Sequence, residues 1–228
     1  MIPPVFKYNQ ADDRLKATRR HNKQDADGMC LLHCCAWVAV GCPIDERSFS
    51  AQVPKLTDKM ADNSLLWECG INDGTSMPQT NLATINLPTD SRVYSIDAGE
   101  EGAHAIAAVR LPDKLGQVRV AVFDPNQGVS IIAANNEVSL TTSFRKHMQG
   151  IATYTFNTPI NSPKMRVFDI SAVAQKINDL HTQHKTTRTE LERLKVGTRL
   201  PDSLGKPVNP IVPEKKEKKS FFDIFKKK

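Results

Sequence analysis

Asp27-Gly28-Met29-Cys30-Leu31-Leu32-His33-Cys34-Cys35-Ala36-Trp37-Val38-Ala39-Val40 is the stretch on which the reading of this chain turns. Its density of Leu, Cys, Ala and Trp predicts a helix over 29–40, and Gly41-Cys42-Pro43 stops it. A thiol in the first turn of a helix feels the positive end of the helix dipole, which favours the reactive thiolate. The backbone N–H groups of that turn can donate to an oxyanion, and Gly28 allows another chain to approach the sulfur closely. The plainer reading stands beside this one: free cysteine is among the most buried residue types, and Cys30 on a core helix needs no chemistry.

Working outward, 45–53, 59–69 and 77–87 read as further helices. The second half changes character. Runs at 92–96, 104–111, 117–123 and 128–133 are short, rich in β-branched residues and separated by Gly, Pro, Asp and Asn, which predicts an antiparallel sheet. Residues 137–149 read as a helix against that sheet, and 152–156 as one more strand. Helices first and sheet second is an α+β order rather than alternating βαβ units. It sets the first helix and the sheet facing each other as two halves.

Two residues in the sheet half complement Cys30. His104 opens the run Ala103-His104-Ala105-Ile106-Ala107-Ala108-Val109, with Ile106 and Ala108 on its face by alternation. Asp124 follows twenty residues later in Phe123-Asp124-Pro125-Asn126-Gln127-Gly128. Adjacent antiparallel strands joined at Pro112-Asp113-Lys114-Leu115-Gly116 bring a residue that starts one strand beside a residue that ends the other. A carboxylate beside an imidazole fixes its tautomer and stabilises the imidazolium. Each residue also has an ordinary use: a hydrogen-bonded core histidine, and an aspartate capping a turn before Pro-Asn.

Composition narrows the class. The chain has 228 residues, 39% apolar and 25% charged, enough for one catalytic-sized domain with an extension. It contains no run of about 18 apolar residues, so a membrane-spanning helix is excluded. The start, Met1-Ile2-Pro3-Pro4-Val5-Phe6-Lys7, lacks the basic head and apolar core of a secretory signal, so export would need another route. Residues 206–228 hold eight Lys and three acidic side chains, +5 of the net +6. The body is near neutral, which argues against nucleic-acid binding. Five cysteines at 30, 34, 35, 42 and 69, three of them on one helix, suit a reducing compartment better than a disulfide framework.

The ends read as separate objects. Residues 1–23 are polar and basic and read as an arm, ahead of a catalytic domain at 24–158. In 159–196, after two prolines, Val173, Ile177, Leu180, His184, Thr187, Leu191 and Leu194 follow a 4-3-4-3-4-3 spacing, a heptad seam that could self-associate or pack back on the domain. Residues 197–228 read as a disordered Lys-rich tail whose Phe221, Phe222, Ile224 and Phe225 are candidate contacts for an anionic membrane or a partner groove.

The order Cys, His, Asp, with Gly-x-Cys opening a helix and Trp37 seven residues after Cys30, resembles the YopT/AvrPphB-type bacterial effector cysteine peptidases. His104-Ala105-Ile106-Ala107 and Phe123-Asp124-Pro125-Asn126-Gln127-Gly128 resemble that family's His and Asp blocks, and the likeness covers about 24–158. The resemblance implies a papain-like fold and a cleft between nucleophile helix and sheet. It implies no cofactor, and proteolysis of a host protein after delivery by a bacterial secretion system. Cys30 would be nucleophile, His104 base and Asp124 orienter; Gln24, six residues before Cys30, has the offset of the papain-type oxyanion donor. His104 follows Cys30 by 74 residues, a short spacing that trims the region forming substrate-cleft walls, so substrate class does not carry over.

Other readings remain open at this level. The same triad chemistry serves deamidases and transglutaminases acting on Gln or Asn side chains. His33, three residues from Cys30, is a second candidate base, and Cys30, His33, Cys34 and Cys69 a candidate metal set, although no second tight ligand pair exists to support one. A pseudoenzyme working through its C-terminal helix and basic tail is the non-enzymatic alternative.

Overall fold

Four runs rich in Val, Ile and Ala form the centre of one antiparallel sheet in a computed structural model of the chain, which describes residues 1–10, 29–62, 79–98, 103–157 and 166–197. They are β3 (Ser91–Asp97), β4 (Ala103–Lys114), β5 (Gln117–Asp124) and β6 (Gly128–Ala134). Short strands β1 (Phe6–Lys7), β2 (Gln79–Thr80) and β7 (Arg166–Asp169) complete the order β1-β6-β5-β4-β3-β7-β2, with every pairing antiparallel. The β4–β5 hairpin turns at Leu115 (φ 54°) and Gly116 (φ 73°), the left-handed pair that a two-residue hairpin loop requires.

Four helices flank the sheet: α1 (Met29–Ala39), α2 (Glu46–Asp62), α3 (Glu137–Phe156) and α4 (Ser171–Gly197). α1 and α2 pack on one face with the first turns of α4, around Leu31, Cys34, Trp37, Phe49, Phe123 and Ile177. α3 packs on the other, where Phe144, Met148 and Ile151 meet Ile96, Ile106 and Val122. The architecture is therefore mixed helix and antiparallel sheet. None of the described helices is long and apolar enough to cross a membrane.

Local chemistry explains where elements differ from the sequence reading. Residues 46–62 form one helix through Pro54, because Phe49, Val53, Thr57 and Met60 keep a buried stripe running across the proline. Residues 152–156, expected as a strand, are the last turns of α3. Its buried face continues from Leu140 and Phe144 through Met148 to Ile151 and Ala152, and Asn157 closes it in the left-handed region at φ 48°. Residues 79–87, expected within a helix, begin with β2 and then turn. The Asn81 side chain accepts the N–H of Ala83 at 2.8 Å, a local bond that competes with helix. β7 was not anticipated; four residues between Pro163 and a helix carry too little pattern.

The start of the chain differs most. Phe6 and Lys7 join the sheet rather than an arm, pairing with Val129 and Gly128, and Phe6 is buried against Phe49; residues 11–23 of the expected arm lie outside the described residues. Gly128 makes this approach possible. A Cβ there would stand 2.1 Å from the Phe6 carbonyl oxygen, and its φ is +109°.

At the other end, α4 begins where the Asp169 carboxylate accepts the N–H and hydroxyl of Ser171 at 3.0 and 2.6 Å. Ala174 and Ile177 are buried, and Val173 and Leu180 pack at their edge. The first part of the expected seam thus faces the domain. The side chains of His184, Thr187, Leu191 and Leu194, and all of 198–228 with Phe221, Phe222, Ile224 and Phe225, lie outside the described residues.

Candidate active site

Small side chains let α1 come close to the sheet. Ala105, Ala107 and Ala121 are fully buried on its side, where larger residues would hold the helix away. Cys30, in the first turn of α1, thereby reaches the start of β4, and the Ala105 N–H donates to its Sγ at 3.4 Å. His104 is the preceding residue. Its Nε2–H donates to Asp124 Oδ1 at 2.9 Å. The structure brings Cys30, His104 and Asp124 together, at 7%, 4% and 3% exposure.

The hairpin register makes the meeting of imidazole and carboxylate unavoidable. Ala107 pairs with Phe123, so the beginning of β4 and the end of β5 share one end of the sheet. Ile106 and Ala108 lie in the core under α3, while Ala105 and Ala107 lie under α1. His104 precedes the residue whose N–H reaches the Cys30 sulfur, and occupies a strand position that simple alternation assigns to the α3 side. The site is thus built at the end of the sheet rather than on one face.

Asp124 fulfils both of its sequence readings at once. Oδ1 accepts from His104 and also from the Asn126 N–H at 2.8 Å, the turn-capping bond of an Asp two residues earlier. Oδ2 is buried and has no hydrogen-bond partner among the described residues.

Electrostatics separate the three buried histidines. Burial works against a charged His104, but hydrogen bonds to Asp124 and Cys30 and their charges overcome it, and its pKa is pushed up to about 10. Burial pulls His33 down to about 3. Burial, with the chain's amino terminus adding to it, takes His147 down to about 4. His33 is not placed as a base. Its Nδ1 lies 3.2 Å from the Tyr8 hydroxyl and 3.3 Å from Thr57 Oγ1, and its Nε2 is buried without a partner. His147 Nδ1 accepts the Ile2 N–H at 3.1 Å, a structural bond.

Burial disfavours the thiolate form of two neighbouring thiols by the same logic. Burial first, then the charges of Cys30, Cys35 and Asp124, push Cys34 well above the usual thiol range, and burial pushes Cys42 up to about 12. Among the described residues, no group of three or more His, Cys, Asp or Glu side chains is placed to hold a metal ion. Gln24 and Cys69 lie outside the described residues. Two contributors escaped the sequence reading: the backbone N–H groups of Ala105 and Asn126. Only the second had a signal, in the Asp-Pro-Asn turn.

No protein-family model matches the chain, and no curated protein matches it. Among solved structures, the crystal structure of the Pseudomonas avirulence protein AvrPphB is similar over 71% of this chain and 98% of its own, with 12% identity and a TM-score of 0.41. A likeness that distant carries no argument about chemistry, and the candidate site rests on its own geometry.

Proposed function

We propose that the protein is a thiol hydrolase of papain-like fold that cleaves a protein substrate through Cys30, His104 and Asp124. One observation carries the reading: a single buried imidazole hydrogen-bonds a carboxylate, and the next residue along the strand donates its N–H to the sulfur of a cysteine in the first turn of a helix. The Asp124 carboxylate favours the protonated form of that imidazole, the form a cysteine nucleophile is paired with.

In the reaction, the Cys30 sulfur attacks the carbonyl carbon and the first-turn N–H groups of α1 stabilise the oxyanion, with Gln24 as the side-chain donor. His104 gives its proton to the leaving amine, which departs as the thioester forms. Water then attacks the thioester, His104 takes a proton from it, and Cys30 is released. Asp124 holds the ring throughout. No cofactor enters these steps.

Peptidase is preferred to side-chain deamidase or transglutaminase because the Cys, His and Asp blocks resemble effector peptidases. Delivery into a host cell and contact of the 206–228 tail with an anionic membrane belong to the same proposal. The deciding experiment compares new protein N-termini in host-cell lysate treated with the protein and with Cys30→Ala. Cys30-dependent neo-N-termini are expected. Glutamine or asparagine converted to acid without chain cleavage would replace the peptidase reading with the deamidase one.

A further inference from the structure

Asp124 has an unusual dependence on its own loop. One carboxylate oxygen takes both of its hydrogen bonds, from His104 and from the Asn126 N–H, while the other is buried without a partner among the described residues. Apart from the imidazole it must orient, the carboxylate is therefore aimed through Asn126. That residue is held from a distant part of the chain. Gln10 Nε2–H donates to Asn126 Oδ1 at 2.8 Å, the Gln10 N–H donates to the Pro125 carbonyl at 2.8 Å, and the Tyr8 N–H donates to the Gln127 carbonyl at 3.2 Å. Three consecutive loop residues, 125–127, are thus tied to residues 8–10.

The tie is itself anchored. Phe6 and Lys7 pair with β6 just beyond the loop, and the Val5 N–H reaches the Val129 carbonyl at 2.7 Å. The Tyr8 ring packs on Phe49 and Phe123, at 4.9 and 6.1 Å between centroids. Its hydroxyl meets His33 on the nucleophile helix.

We propose that Gln10 and Asn126 are positioning residues for the Asp124–His104 pair, acting as a strap from the chain's first strand. This rests on the triad reading above and deepens it. The strap turns a mobile type of element, a three-residue interstrand loop, into a fixed mount. Losing the Gln10–Asn126 bond lets the loop move, the Asn126 N–H leave Oδ1 and the carboxylate rotate away from Nε2.

The test is the titration of His104, followed by NMR of ring-labelled histidine in the full-length chain, so no substrate is needed. Gln10→Ala and Asn126→Ala should each lower its pKa by roughly half a unit to one unit, part of one hydrogen bond to the charged form. The double variant should shift it no further than either single one, because both remove the same bond. Asp124→Asn is the reference and should shift it more. A His104 titration unmoved in Gln10→Ala and Asn126→Ala but moved in Asp124→Asn would overturn the strap alone and leave the triad standing. A titration unmoved in all three would overturn both. Should Gln10→Ala fail to fold, Asn126→Ala decides alone, since it spares the backbone bonds of residues 8 and 10.

Discussion

Cys30 shares its helix with two other cysteines, and what distinguishes it is position rather than burial. All three are buried, and the Cys30 sulfur accepts the N–H of Ala105, the neighbour of the histidine that Asp124 holds. Iodoacetamide at pH 6 should therefore label Cys30 well before Cys34, Cys35 or Cys42, as read by peptide mass spectrometry; equal labelling of the four would remove Cys30 as nucleophile. Asp124→Asn should keep the fold and reduce turnover by roughly 10⁴, the loss known for a serine protease whose imidazole is left in the wrong tautomer. Wild-type turnover in that variant would mean another group orients His104.

At the scale of elements, the spacing between α1 and β4 is set by alanines. Ala107 is fully buried against the nucleophile helix and sits two residues beyond Ala105. Ala107→Val adds two methyl groups to a filled interface, and should destabilise the fold by about 1–3 kcal/mol in urea unfolding. Cys30 labelling should slow, although destabilisation alone would speed it, because the sulfur is lifted from the start of β4; unchanged labelling would show that the helix can tilt to absorb the extra volume. The four central strands were legible because β-branched runs between turn residues leave few alternatives, and the Cys, His and Asp blocks were legible because each combines a reactive residue with a local signature. The last turns of α3 were not: Gly150 weakens a helix and the threonines at 153 and 155 favour strand locally, and burial of Ile151 and Ala152 against β-strands overrides them. β1 was hidden for a related reason. Two residues contain no period, and what fixes them is a glycine more than a hundred residues away.

For the whole molecule, the buried histidines give stability opposite slopes with pH. His33 and His147 are held near 3 and 4 when folded but titrate near 6.5 when unfolded, so their contribution is complete above about 6.5 and is lost as pH falls towards those values. His104 is raised to about 10, so its contribution is complete below about 6.5 and is lost as pH rises through 10. Thermal unfolding should show a maximum near pH 6–7, and His104→Ala should flatten the alkaline side while leaving the acid side. A wild-type curve that keeps rising to pH 9 would contradict the stabilised imidazolium. The long reach of these contacts also sets when the proposed site can assemble. Cys30 lies 75 residues before the amide that donates to it and 94 before the carboxylate behind its histidine, and the first strand pairs with one starting at Gly128. At a synthesis rate of roughly 5–20 residues per second, the thiol leaves the ribosome about 5–19 seconds ahead of Asp124. Throughout that interval it lacks the partners of the proposed triad, so hydrolysis by the nascent chain has to wait until its sheet has closed.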